Sequence, residues 1–163
     1  AALLYELLDG EEAHPLPLTR EAMMSKTPPT TPPPDAPGLY RNTDPFDLLR
    51  SLMGSRNWDE SLKLLDVMEG YYTEGPLYDL LVGYLEHTRM RWTHALTALH
   101  RAMEASAPPK GPLDVHLCAL YYLARTHWYY LDYPEAFKAM SAYLDLMTAS
   151  GRDLPLAPAA PLR

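Results

Sequence analysis

Between Pro45 and Ser150 apolar residues return at intervals of three and four, and no stretch alternates apolar with polar positions as a half-buried strand would. The pattern predicts six helices, over residues 45–54, 58–69, 76–89, 92–106, 112–130 and 134–149, joined by short turns. Pro45, Pro76, Pro112 and Pro134 stand at the heads of four of these runs. There the missing N–H is one the first turn would leave unpaired, and the fixed φ suits helix entry. Gly54, Gly70, the segment "APPKGP" and Gly151 supply stops.

Outside this region prolines carry a different meaning. Nine lie from Pro15 to Pro45 and three close the chain in "LPLAPAAPLR", runs that lack helix donors and favour extended polyproline conformation. The organisation read from the chain is therefore a short helical or irregular segment at 1–24, in which "ALLYELL" offers two turns of helix, and a proline-rich linker at 25–43. A helical domain at 44–150 and a proline-rich tail at 151–163 follow.

Composition bounds the function. With 163 residues, 47% of them hydrophobic, the chain holds enough apolar material for one domain with a core. A net charge of -7 argues against a phosphate-binding surface, so nucleic acid and anionic membrane are not expected partners of this segment. The single cysteine, Cys118, cannot close an internal disulfide, and the chain fits a reducing cytoplasm at least as well as an export compartment. No apolar run reaches the roughly 18 residues a spanning helix needs, and "AALLYELLDG" has acidic flanks and no cleavage signal, unlike a signal peptide. Without an initiator methionine the chain reads as a piece of something longer.

A repeat underlies the helices. Trp58 precedes Ser61 by three residues, Trp92 precedes Ala95 and Tyr133 precedes Ala136; Trp58 and Trp92 are 34 residues apart, Trp92 and Tyr133 41, the surplus falling at "PPKGPLD". In the second copy Gly83 lies twelve residues before Ala95, and Leu99 and Ala102 follow. Ala124, Ala136 and Met140 match in the third, while the first copy is the weakest, with Leu49 where a small residue is expected and Ser61 in place of alanine. A 34-residue helix-turn-helix unit resembles the tetratricopeptide repeat, over roughly residues 42–150. The resemblance implies an all-α fold of three repeats in a short right-handed superhelix. In it small residues let paired helices approach closely, and Trp58, Trp92 and Tyr133 are turn-closing core residues. Met68 and Tyr143 depart from the pattern, standing where the family has its last small residue, and Pro108 falls one residue beyond the family's terminal proline. A shorter stretch, "LYELLDGEEAHPLPLTREAMM" at 4–24, is similar to the end of the bacterial transcriptional activator domain, which belongs to regulators with a separate DNA-binding domain.

Catalytic chemistry finds no purchase. The chain has no glycine-rich phosphate loop, nucleophile elbow, paired-histidine metalloprotease motif or Cys-x-x-Cys. His116 and Cys118, two apart on a helix, point about 200° from one another and cannot share a ligand, and nothing in the spacing makes His87, His94 and His100 converge. The expectation is a non-enzyme without metal or cofactor.

What the resemblance leaves exposed is a groove lined by the first helix of each repeat. Residue by residue it places Phe46, Arg50, Tyr84, His87, Tyr121, Arg125, Trp128 and Tyr129 there, a mixture of aromatic and arginine side chains of the kind that dominates binding hot spots; at helical spacing the same rings also read as partly buried core. The expected function is protein or peptide binding, as the regulatory segment of a bacterial signalling or transcription protein. A free-standing scaffold adaptor and a small-molecule sensor with a closed cavity are the alternatives. The last helix carries more apolar surface than one neighbour covers, including Phe137 and Leu144. The excess is expected to be buried by the N-terminal helix folding back, by the C-terminal tail, or by a second copy of the chain, with homodimerisation through Phe137 and Leu144 preferred.

Overall fold

A computed structural model describes residues 2–10, 14, 16, 45–68 and 76–155. Among these residues it is all-helical: α1 (Ala2–Asp9), α2 (Pro45–Gly54), α3 (Trp58–Met68), α4 (Pro76–Thr88), α5 (Trp92–Ala105), α6 (Leu113–Tyr129) and α7 (Tyr133–Ala149), with no strand. Six of the seven match the periodic stretches to within two residues at each described end. Gly70, the linker 25–43 and the tail beyond Pro155 lie outside the described residues. From α2 onwards each helix packs on the next, α4 also packs on α6, and α1 returns to pack on α7 and α6.

The same turn joins α2 to α3, α4 to α5 and α6 to α7. Arg56, Met90 and Leu131 have φ of 60°, 61° and 67°. Each donates its N–H back to a carbonyl three residues earlier, and the next residue donates five residues back: Asn57 to Leu52, Arg91 to Glu86, Asp132 to His127. This is the Schellman arrangement, which pairs the carbonyls a helix end leaves free. The carbonyls of Asn57, Arg91 and Asp132 then accept the N–H of Ser61, Ala95 and Ala136, so one residue both closes a helix and opens its partner. Gly151, at φ 67°, ends α7 in the same way, with Arg152 donating to Met147.

Trp58, Trp92 and Tyr133 open the second helix of each hairpin, with Trp58 packed against the edge of the core and Tyr133 nearer the surface. The two tryptophans are half-buried and Tyr133 is 44% exposed. The turn is closed by backbone hydrogen bonds, which leaves the rings free to lie on neighbouring aromatics at the surface.

Beneath these turns the small and apolar repeat positions are buried. Leu49, Ser61, Ala95, Leu99, Ala102, Ala124, Ala136, Met140 and Tyr143 are each 0% exposed. At Gly83 the close approach expected of α4 and α5 exists, with a different partner from Ala95: a Cβ there would stand 2.6 Å from Cγ of Leu99 and 3.2 Å from its backbone nitrogen. α6 is buried on nearly every side, with a continuous run from Leu117 to His127, because α4, α5, α7 and α1 all pack on it. α1 contributes Leu7 and Leu8 to this core, each worth about 1.5–3 kcal/mol when removed from water.

Candidate partner-binding face

α4 and α6 lie against each other and bring three of the eight expected groove residues, Tyr84, His87 and Tyr129, into one aromatic ladder with Trp58, Trp92 and Tyr122. Trp58 meets Tyr84 edge-on with ring centroids 6.1 Å apart, and Tyr84 meets Tyr122 at 5.0 Å. The ring of His87 lies 5.9 Å from Tyr122, 5.4 Å from Trp92 and 5.7 Å from Tyr129. Trp92 stacks on Tyr129 at 5.5 Å with the planes 13° apart. Offset and edge-to-face pairs of this kind are each worth roughly 0.5–1.5 kcal/mol beyond the area they bury. Tyr129 at the outer end is 43% exposed, and Tyr84, His87 and Trp92 are half-buried, so this part of the face meets solvent.

His87 is locked in place. The Thr126 hydroxyl donates to the Tyr122 carbonyl at 2.6 Å, leaving its oxygen to accept from Nδ1–H of His87 at 2.8 Å. Burial, reinforced by the positive charge of Arg125, brings the His87 pKa down to about 4, so the ring is neutral at pH 7.

Arg125 and Tyr121 were expected in the open groove and are buried instead, at 9% and 1% exposure. Arg125 donates to the hydroxyls of Tyr121 at 2.7 Å and Tyr129 at 3.3 Å, and its guanidinium stands 5.5 Å from the Tyr121 ring centroid. Arg125 therefore organises two phenols rather than standing in solvent. Trp128, half-buried rather than projecting, packs on Tyr5, Tyr133 and Phe137 with centroids 5.3, 5.0 and 6.0 Å apart. Arg50 is exposed and paired with Asp47 at 3.2 Å, away from the ladder in its contacts. The side chain of Phe46 lies outside the described residues.

Sequence reasoning missed Tyr122, Thr126 and Trp92 as members of the face. Tyr121 and Tyr122 stand four and three residues before Arg125, so helical spacing puts either ring on its face and ranks neither; the contact with Tyr84 is what assigns Tyr122 to the ladder. Phe137 and Leu144 are half-buried and pack against the core, Phe137 lying 5.9 Å from Tyr5. Within the single chain the N-terminal helix folds back over part of this end, Tyr5 lying on Phe137, and Leu154 of the C-terminal segment also packs against the core.

Candidates for chemistry stay apart. His116 Nδ1 pairs with the Met103 carbonyl at 2.9 Å, while Cys118 is fully buried and its thiol pushed well up by desolvation. His94 lies 3.1 Å from Arg91 and the His100 ring 5.9 Å from that of His127; among the described residues no three His, Cys, Asp or Glu groups converge on a metal position. Two hollows, of about 330 Å³ beside Glu86 and Thr97 and about 590 Å³ beside His116 and Leu146, open to solvent, and the ladder lines neither. Among the described residues no helix is long and apolar enough to cross a membrane. Comparison of the chain with protein families, with characterised proteins and with solved structures finds no match.

Proposed function

We propose that the chain is a non-catalytic, three-repeat tetratricopeptide-like domain that binds a protein or peptide on its α4–α6 aromatic face, as the regulatory segment of a bacterial cytoplasmic signalling or transcription protein. The observation that carries the reading is the threefold Schellman hairpin at Arg56, Met90 and Leu131, whose spacing repeats that of Trp58, Trp92 and Tyr133. It sets the first helices of the second and third pairs side by side, with Tyr84, His87 and Tyr129 at the surface. Rigid, half-exposed rings held by Thr126 and Arg125 suit recognition, because a partner pays little ordering entropy at a preorganised surface. The assignment to a transcription regulator draws on the N-terminal resemblance at residues 4–24.

Selection of peptides on the purified chain tests the face. Affinities of the winners, read by fluorescence anisotropy, should fall about tenfold or more in Tyr84→Ala and in Tyr129→Ala, the loss of roughly 1.4 kcal/mol that marks a hot-spot ring. Unchanged affinity in both variants would remove the ladder as the binding face.

A further inference from the structure

The N-terminal segment packs at the α6–α7 end, beside the face assigned to partner binding, and meets its ladder at the Tyr122 hydroxyl. Tyr5 packs edge-on against Trp128 and Phe137, Leu7 and Leu8 are buried, and the Asp9 carboxylate accepts from Nε1 of Trp128 at 3.4 Å. Beyond the helix, the Tyr122 hydroxyl donates to the His14 carbonyl at 3.0 Å, and the His14 ring is hydrogen-bonded to the Tyr143 hydroxyl at 2.7 Å. His14 also lies 6.1 Å from the ring of Tyr121. Tyr5, Asp9 and His14 thus touch Tyr121 or Trp128, two of the groove residues read from the sequence.

α1 has eight residues, too few to hold a helix alone in water, so its shape comes from its seat. Between Asp9 and Pro45 run about 35 residues of chain, so α1 meets its seat within one molecule, at an effective concentration set by the covalent link. A helix delivered at that concentration stays docked with modest intrinsic affinity. The contacts that hold it are a short register: paired leucines four residues apart, Tyr5 between them, and an acidic residue at the end facing the indole N–H.

We propose that the α6–α7 end, beside that face, is a receptor site for a short amphipathic helix of another protein. That helix carries the register Leu-Leu-aromatic-x-Leu-Leu-acid, and α1 is its resident stand-in, displaced when the partner binds. The site rests on the partner-binding reading above and gives it a ligand class: an acidic, leucine-rich helix rather than an extended peptide. The seat adjoins the ladder through Tyr121, whose ring lies 5.1 Å from that of Tyr122.

The test uses the full chain and a fluorescein-labelled peptide of residues 1–14. Leu7→Ala,Leu8→Ala weakens the resident helix without touching the seat, and the labelled peptide should bind this variant about tenfold more tightly than the wild type, as expected when a resident occupying at least about 90% of seats is removed. Trp128→Ala added to the pair should abolish uptake. Equal affinity for variant and wild type, or no uptake by a variant with native helicity, overturns the proposal, as does a wild type that dimerises without taking up peptide. Hydrogen exchange of the wild type decides the matter should the variant fail to fold: α1 amides should open at least about tenfold more often than those of α6, and α1 exchanging only with the whole molecule overturns a displaceable helix. If peptides selected on Tyr84 and Tyr129 still bind while these tests fail, the displaceable helix alone is lost; if both fail, the face is.

Discussion

Gly83→Ala sets two known effects against each other. Alanine in a helix interior is favoured over glycine by about 0.8–1 kcal/mol, so on an open helix the change would stabilise. At Gly83 the new methyl would lie 2.6 Å from Cγ and 2.7 Å from Cδ2 of Leu99, and 3.2 Å from the Leu99 backbone nitrogen. Leu99 is fully buried at the α4–α5 crossing, so it has no empty space to turn into, and Cγ is too near its own backbone to yield freely. Overpacking of this kind costs about 1–3 kcal/mol. Set against the helix gain, a net loss of roughly 0.5–2 kcal/mol is expected. Urea unfolding followed by tryptophan fluorescence reads it as a lower midpoint at unchanged slope. Leu99→Ala alone should cost about 2–5 kcal/mol, and the double variant should be more stable than the sum of the two losses by on the order of 1 kcal/mol, since the second change removes the atoms the first collides with. A stabilised Gly83→Ala, or strict additivity, would refute the close approach.

Met90→Gly should raise stability by about 0.5–1 kcal/mol, because Met90 sits at φ 61° and its side chain is 72% exposed, so backbone relief comes with little packing lost; a lower urea midpoint would contradict the turn geometry. Stability should be full above about pH 6.5 and decline towards pH 4, because burial holds His87 near 4, and also lowers His14, His116 and His127, while the unfolded chain protonates them near 6.5. His87 accounts for on the order of 3 kcal/mol of this at most, and His87→Gln should flatten the pH dependence of the urea midpoint. Arg125→Ala should cost roughly 1–3 kcal/mol, since it takes a buried donor from the Tyr121 and Tyr129 hydroxyls; a neutral result in thermal melts would return Arg125 to the solvent side of the face.

The helices were legible because their signals are local. Pro45 and Pro76 open α2 and α4 where the chain has no helix donor to lose, and the three-and-four apolar spacing runs unbroken to within a residue or two of each observed end. The turns were legible only as spacings. Their left-handed residues are Arg56, Met90 and Leu131, and a non-glycine at such a position carries no mark in the sequence. For α6 the difficulty is of another kind: in "LDVHLCALYYLARTHWY" apolar and aromatic residues occupy every face, as expected of a helix buried all round. Nothing in the order Tyr121, Tyr122 tells which ring faces α4 and which faces α7. The structure sets Tyr122 against Tyr84 and Tyr121 against Tyr143.

α1 was the least legible element, because its seat lies more than a hundred residues away and two turns of helix carry no address. The apolar side of α7 that α6 leaves uncovered must nevertheless be buried, and here the chain's own beginning packs on it. Phe137→Ala probes that closure. Phe137 is half-buried between Tyr5 and Trp128, so truncation should cost about 1–2 kcal/mol, well short of the 3–5 kcal/mol of a fully buried phenylalanine. Its effect should be local. Hydrogen exchange should quicken in α1 and the last turns of α6, while amides of α3 and α4, which Phe137 does not touch, keep their protection against local opening. Equal loss of protection from α2 to α7 would mean that α1 is fused into one cooperative unit with the whole array, and that the closure at Phe137 is no separable part of the fold.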